Sequence, residues 1–161
     1  MSIQMTIFAV KCFTMPTVRI ILSKQEDQRI VEAIKKAELN TSGEIKVHID
    51  RHCKGDVEQR CMFLFNKLKI NETKQRNGVL FYLAIKDRKF AVVGDEGIDK
   101  VVEPTFWNDI KNLAIAEFKE GRFAEGLEKG ILRCGEKLKT HFPYQTDDIN
   151  EISDEISYDE E

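Results

Sequence analysis

The chain has 161 residues, enough for one sizeable hydrophobic core and short for two. Hydrophobic residues make up 42% and charged residues 33% of it. That is an ordinary balance for a globular protein in water, and no run approaches the 18 uncharged apolar residues that mark a membrane-spanning helix. The formal net charge of −3 hides an uneven distribution, because eight of the 28 acids fall between residues 147 and 161, where there is no Lys or Arg. The preceding body is basic by about five charges and the tail acidic by eight. Such a tail would repel nucleic acid or an anionic membrane, and no nucleic-acid partner is expected. Cysteines 12, 53, 61 and 134 form no Cys-x-x-Cys unit, so free thiols in a reducing cytoplasm are the simplest reading.

Residues 1–18 read as an N-terminal extension or tail. Lys11 interrupts the apolar stretch from Ile7 to Val10 and no small-residue cleavage pattern follows, which argues against a signal peptide. Met5 and Met15 offer alternative starts. The compact domain is predicted over 19–144. Ser23 followed by Glu26 is a capping box, and Ile30, Ile34 and Ala37 with Val31 give the stripe of a first helix over about residues 24 to 39. From Glu44 to Asp50 the chain alternates: Ile45, Val47 and Ile49 face one way, and Glu44, Lys46, His48 and Asp50 the other. This predicts a half-buried strand. Asp56 then caps a second helix with Val57, Cys61, Leu64, Phe65 and Leu68 on its apolar side.

Arg76, Asn77 and Gly78 lead into the apolar run VLFYLAI, the polar break KDRK and a second run FAVVG. This is the pattern of a buried hairpin from about Val79 to Val93, its first strand central and covered on both faces. Pro104 opens a third helix carrying Phe106, Trp107, Ile110, Leu113, Ala114 and Phe118. After Glu120, Gly121 and Arg122 a fourth carries Phe123, Leu127, Ile131, Cys134 and Leu138, ending before Pro143. Residues 145–161 read as a disordered, solvated acidic tail, with folding back on the basic body as the alternative. The order helix, strand, helix, hairpin, helix, helix asks for an α/β fold, with α+β the alternative. The expected architecture is a single-domain three-layer sandwich on a small mixed sheet.

The chemistry concentrates after the hairpin, where Asp95, Glu96 and Asp99 surround Gly97, a residue able to make an unusual backbone turn. Hard carboxylate oxygens suit calcium or magnesium. The rest of a calcium shell would come from carbonyls, water and Glu44, His48 or Asp50 on the neighbouring strand. The competing reading is an acidic surface turn balanced by Lys86, Arg88 and Lys100. The loop is too short for an EF-hand and too acidic for a phosphate loop. Cys53 and Arg60 are spaced too widely for a cysteine-phosphatase loop and have acids between them. His48, His52 and Cys53 lack a fourth zinc ligand, while Cys61 and Cys134 sit at core helical positions. Arg76 is placed either to pair with the acidic loop or to neutralise a substrate anion. No nucleophile or base stands out, and no catalytic residue is assigned.

TSGEI (41–45), RNGVLFYLA (76–84), the Gly94 to Asp99 loop and FKEGRFAEGLEKGI (118–131), taken in order, resemble the TPM domain. This family is named for a plant thylakoid lumen protein, a worm receptor-associated protein and related bacterial proteins, and the resemblance covers about Leu22 to Pro143. It implies a mixed sheet flanked by helices, with a divalent-cation site in a cleft at one edge. Glu44 would match the acidic residue of the family's strand-entry motif, and Asp99 a position where many relatives carry Glu. Asp95 and Glu96 replace small or aromatic residues. The ending HFP (141–143) looks like the stand-alone soluble branch.

The resemblance further implies phosphatase activity in the plant branch and assistance to membrane complexes or receptors in others. The function expected here is a divalent-cation-binding accessory or regulatory domain without turnover, with Asp95, Glu96, Asp99 and Glu44 as metal ligands. One alternative is a metal-dependent phosphomonoesterase in which Asp95, Asp99 and Glu44 hold the ion and Arg76 steers the anion. The other is a cation-independent protein-interaction module. A monomer with an unidentified protein partner is expected.

Overall fold

The computed structural model describes residues 2–7 and 22–159. The capping box at Ser23 forms as the sequence predicts: the Ser23 hydroxyl accepts the Glu26 N–H at 3.1 Å, and the Glu26 carboxylate accepts the Ser23 N–H at 2.6 Å. Two orphan donors are thereby satisfied at the start of α1 (Lys24–Glu38). Asp56 caps α2 (Val57–Lys67) by accepting the Gln59 N–H. A 3-10 turn at Ile70–Glu72, a single turn α3 (Glu96–Asp99), then α4 (Phe106–Phe118) and α5 (Phe123–His141), complete the helices among the described residues.

Among those residues the strands are β1 (Ser2–Ile7), β2 (Glu44–Asp50), β3 (Gly78–Ala84), β4 (Lys89–Gly94) and β5 (Ser157–Tyr158). They form one mixed sheet in the order β1-β4-β3-β2-β5. β3 runs parallel to β2, with Glu44 opposite Gly78, and antiparallel to β4. All seven residues of β3 are buried, because helices cover both sides of the sheet. On one face Ile30 and Ile34 of α1, Phe118 of α4 and Leu127 of α5 pack with Val79, Phe81 and Phe90. On the other, Cys61, Leu64 and Phe65 of α2 pack with Leu80, Tyr82 and Val93. Removing each large side chain from water contributes about 1.5–3 kcal/mol before chain entropy is counted. The α/β three-layer sandwich and its central first hairpin strand are thus as the sequence predicts.

Three expectations change. Residues 2–7, read as part of an extension, pair antiparallel with β4 from Ser2 opposite Gly94 to Ile7 opposite Lys89. The outer ladder of β4 offers backbone partners that an extended SIQMTI segment can take. Residues 8–18 of the same reading, with Cys12, lie outside the described residues.

β2 is buried at all seven positions rather than on one face. Its cover is the segment read as a disordered tail: residues 151–159 run along its outer edge, and β5 pairs parallel with it at His48–Ser157 and Ile49–Tyr158. Net charge argued for solvation there, but Ile152 is buried beside α2, and Ile156 and Tyr158 pack against the opposite core. That apolar anchorage holds the acidic chain in place.

Gly94 ends β4 directly beneath the buried indole of Trp107, so that a Cβ would run into the ring. Gly94→Ala is therefore expected to cost about 1–3 kcal/mol by overpacking. The check is a lowered urea midpoint with unchanged denaturant slope.

Candidate carboxylate site at the edge of the sheet

The acidic loop after β4 closes on an arginine. Asp95 caps α3, its Oδ1 accepting the Glu96 N–H at 2.7 Å. Arg76 donates Nε to Asp95 Oδ2 at 2.8 Å and Nη2 to Oδ1 at 3.0 Å, a bidentate pair. Its Nη1 lies 3.1 Å from Glu96 Oε1. Two of the three predicted ligands of the loop are thus engaged by one guanidinium, and the pairing alternative for Arg76 is the one realised. Gly97 does not make a left-handed turn: it lies in the helical turn, where the carbonyls of Gln75 and Arg76 come too close for any Cβ.

Glu44 stands elsewhere on the same end of the sheet. It pairs with Gly78, whose carbonyl accepts the Asp95 N–H. β3 therefore separates Glu44 from Asp95, a backbone distance of about 10 Å at ordinary strand spacing. The four predicted ligands are not brought together. Among the described residues no group of three or more His, Cys, Asp or Glu side chains is placed to hold a metal ion.

What Glu44 does meet is Glu38, the last residue of α1. Glu38 Oε1 accepts the Ile45 N–H at 2.8 Å, and Glu44 Oε1 accepts the Glu151 N–H at 2.9 Å. Glu44 Oε2 is buried and no nitrogen or hydroxyl donor reaches it. Burial pushes both carboxyls above the ordinary glutamate range, Glu44 to about 7, and the neighbouring charges of Glu151 and Asp154 add to the shift. The raised values favour the protonated form of each carboxyl. Beside the pair opens a cleft of about 160 Å³ lined by Thr41, Ser42, Gly43 and Asp148 as well as the two glutamates. It adjoins one of about 420 Å³ bearing Asp147, Asp148 and Glu151.

Glu38 and the tail acids were missed from sequence. Glu38 follows Ile30 and Ile34 at four-residue spacing, so it is an acid on the apolar stripe of α1. That placement was its available signal.

Further along β2, Asp50 accepts hydrogen bonds from Arg60 (2.8 and 3.0 Å), Tyr82 (2.8 Å) and His48 Nε2 (2.9 Å). Burial alone would raise this carboxyl, but hydrogen bonds from His48, Arg60 and Tyr82 outweigh it and hold it well below the usual range. His48 Nδ1 meets the Ser157 hydroxyl at 2.7 Å. Ser157, His48 and Asp50 thus form a Ser-His-Asp chain with the two ring nitrogens exchanged relative to a hydrolase triad, the imidazole is 5% exposed and Asp50 also holds Arg60 and Tyr82. The chain of hydrogen bonds ties the tail to the sheet. His52 bonds instead to Asp87; it does not join His48 in a zinc site, and Arg60 faces Asp50 rather than an anion-binding loop with Cys53. Cys53, Cys61 and Cys134 are free, the last two buried.

A mixed sheet between α1, α4 and α5 on one face and α2 on the other, with acids at one edge, defines an α/β sandwich of a recognisable class. The TPM domain matches residues 19–137, and the chain belongs to that family. BA42 from the psychrophilic bacterium Bizionia argentinensis, solved by NMR, is 42% identical. The match covers 90% of this chain and all of that one, with a TM-score of 0.85. The N-terminal domain of cg2496 from Corynebacterium glutamicum shares the fold at 15% identity and a TM-score of 0.58, over 81% of this chain and 86% of that one. No curated protein matches. No helix among the described residues is long and apolar enough to cross a membrane.

The pH dependence of stability follows from opposed shifts, Asp50 lowered and Glu38 and Glu44 both raised. Asp50, with its value lowered in the fold, contributes stability that is present above the ordinary aspartate value of 3.8 and lost as pH falls. Glu44, with its value raised, contributes stability that is full below 4.5 and lost as pH rises to about 7. Glu44→Gln is expected to flatten the decline between pH 4.5 and 7 while leaving the acid limb unchanged. Thermal melts across that range check it.

Proposed function

We propose that this TPM domain is a divalent-cation-binding accessory module without turnover, and that its ion site lies in the edge cleft at Glu44 rather than at the loop of Asp95, Glu96 and Asp99. The observation that carries this reading is the buried, donorless Glu44 Oε2 beside the Glu38 carboxyl. A calcium or magnesium ion would supply the positive charge that a retained proton supplies otherwise, and carboxylates are the hard donors both ions prefer. Glu38 and Glu44 would hold it, with tail acids such as Asp148 and Asp154 alongside. Calcium takes six to eight oxygens, so carbonyls and water would complete its shell. The loop fits a cation poorly because Arg76 already pairs with both Asp95 and Glu96.

Calcium and magnesium titrations followed by NMR are expected to give saturable shifts at residues 38–45 and 148–154, abolished by Glu44→Gln. Shifts confined to 95–99 that survive this substitution, or no saturable shifts at all, would sink the assignment. Because the ion displaces a proton, affinity should climb as pH rises toward 7. At a hundredfold excess over Kd the ion should stabilise the fold by about 2.7 kcal/mol.

The metal-dependent phosphomonoesterase alternative makes a different forecast. Phosphate release that persists through purification and vanishes in both Glu44→Gln and Asp99→Ala would overturn the absence of turnover. Equal release in wild type and variants would leave the accessory reading standing.

A further inference from the structure

The outer edge of β2 is read along its length by the last described residues of the chain. Lys46 Nζ donates to the carbonyls of Ser153 (3.1 Å) and Glu155 (2.5 Å), holding main chain rather than side chain. The parallel ladder at Ser157 and Tyr158 does the same. Besides the Ser157 hydroxyl at His48, four side chains are read. Ile152 enters the core layer under α2, and Ile156 and Tyr158 pack on the opposite layer. The Asp159 carboxylate lies 3.0 Å from Lys54 Nζ and 3.9 Å from Arg60 Nη2. That acid sits in a cleft of about 370 Å³ otherwise lined by Arg51, His52, Lys54 and Lys86. The nearby acid Asp87 is engaged by His52 and the Cys53 N–H.

We propose that this edge is a docking site for an extended acidic segment of a partner protein, and that residues 151–159 are its tethered occupant. Without them β2 would present a seven-residue edge, the template on which strand addition works. The occupant is a separable arm: it contributes only two ladder positions, and the connection before it is exposed, Tyr144 at 50% and Ile149 at 79%. Charge selects the partner at the Asp159 end, where Lys54 and Arg60 face its carboxylate and Arg51 and Lys86 line the same cleft, whereas Glu38 and Glu44 at the entry repel acids. A competing segment needs an apolar residue at the Ile152 and Ile156 positions, an aromatic at Tyr158 and a carboxylate at Asp159. The tethered arm raises the threshold for entry, because a short flexible tether keeps it near the edge at an effective concentration on the order of millimolar. This proposal does not require the cation.

The test uses the full chain and a fluorescein-labelled peptide of residues 149–159, INEISDEISYD, with a scrambled peptide of the same composition. In Tyr158→Ala/Asp159→Asn, which loosens the native arm, the peptide is expected to bind about ten-fold more tightly than to wild type. NMR shifts should follow along residues 46–50. Adding Lys46→Ala should reverse the gain, and the scrambled peptide should bind neither chain. Equal binding by the scrambled peptide would reduce the site to bulk charge and overturn the proposal. No binding to the folded double variant would do the same, as would loss of folding in that variant, because the arm would then be core rather than occupant. A concentration-dependent wild-type dimer with exchanged arms would overturn the partner in favour of a second copy.

Discussion

A single buried carboxylate organises the half of the molecule that carries its chemistry. Asp50 ends β2 with no exposed side-chain surface, and α2, β3 and the tail converge on it through Arg60, Tyr82 and His48. Such a charge is tolerable in the interior only because its oxygens are fully supplied with donors. Removing it would leave a guanidinium, a phenol and an imidazole facing one another in a nearly dry space. His48 then passes the constraint outward to Ser157. The position of the tail is therefore tied to the electrostatics of the sheet as well as to the apolar seats of Ile152, Ile156 and Tyr158.

The same strand carries the opposite situation at its other end. Glu44 has a donor for one oxygen and none for the second, and the group nearest it is another carboxyl. Seven residues of one strand thus hold an acid supplied with donors and an acid short of them. The first is pushed toward permanent ionisation, the second toward holding a proton. Full satisfaction marks a structural element. An unmet buried oxygen beside a cleft is the observation on which the proposal of an ion at Glu44 rests.

The fold was legible where local physics decides it. The capping box at Ser23, the Asp56 cap, the stripes of α4 and α5 and the unbroken apolar run of β3 each report a short-range preference, and each element formed where its residues indicated. The alternation in β2 correctly separated Ile45, Val47 and Ile49 from Glu44, Lys46, His48 and Asp50. It could not say what lies over the polar set, because a period of two records direction and not cover. Net charge favoured a solvated tail over one folded back on the basic body: eight acids outweighed four apolar side chains in composition, although three of the four, Ile152, Ile156 and Tyr158, determine where the chain lies. Long-range pairing also changes how the loop looks. Asp95 and Glu96 look like a cluster in sequence until Arg76, nineteen positions from Asp95, is folded between them.

Position along the sheet then sets the logic of the edge. The tail enters beside Glu44, where the Glu151 N–H reaches it, and leaves at the basic cleft beyond Asp50, where Asp159 meets Lys54. One segment therefore contacts both the acid short of donors and the cations at the far end, with Lys46 holding its carbonyls midway. A change in charge at Glu44 alters the surroundings of Glu151 and Asp154, both of which raise its proton affinity. By reciprocity, lifting the arm removes those two negative charges and one hydrogen bond from Glu44. Occupancy of the edge, as proposed, and the charge of the carboxylate pair are consequently coupled through the same few residues.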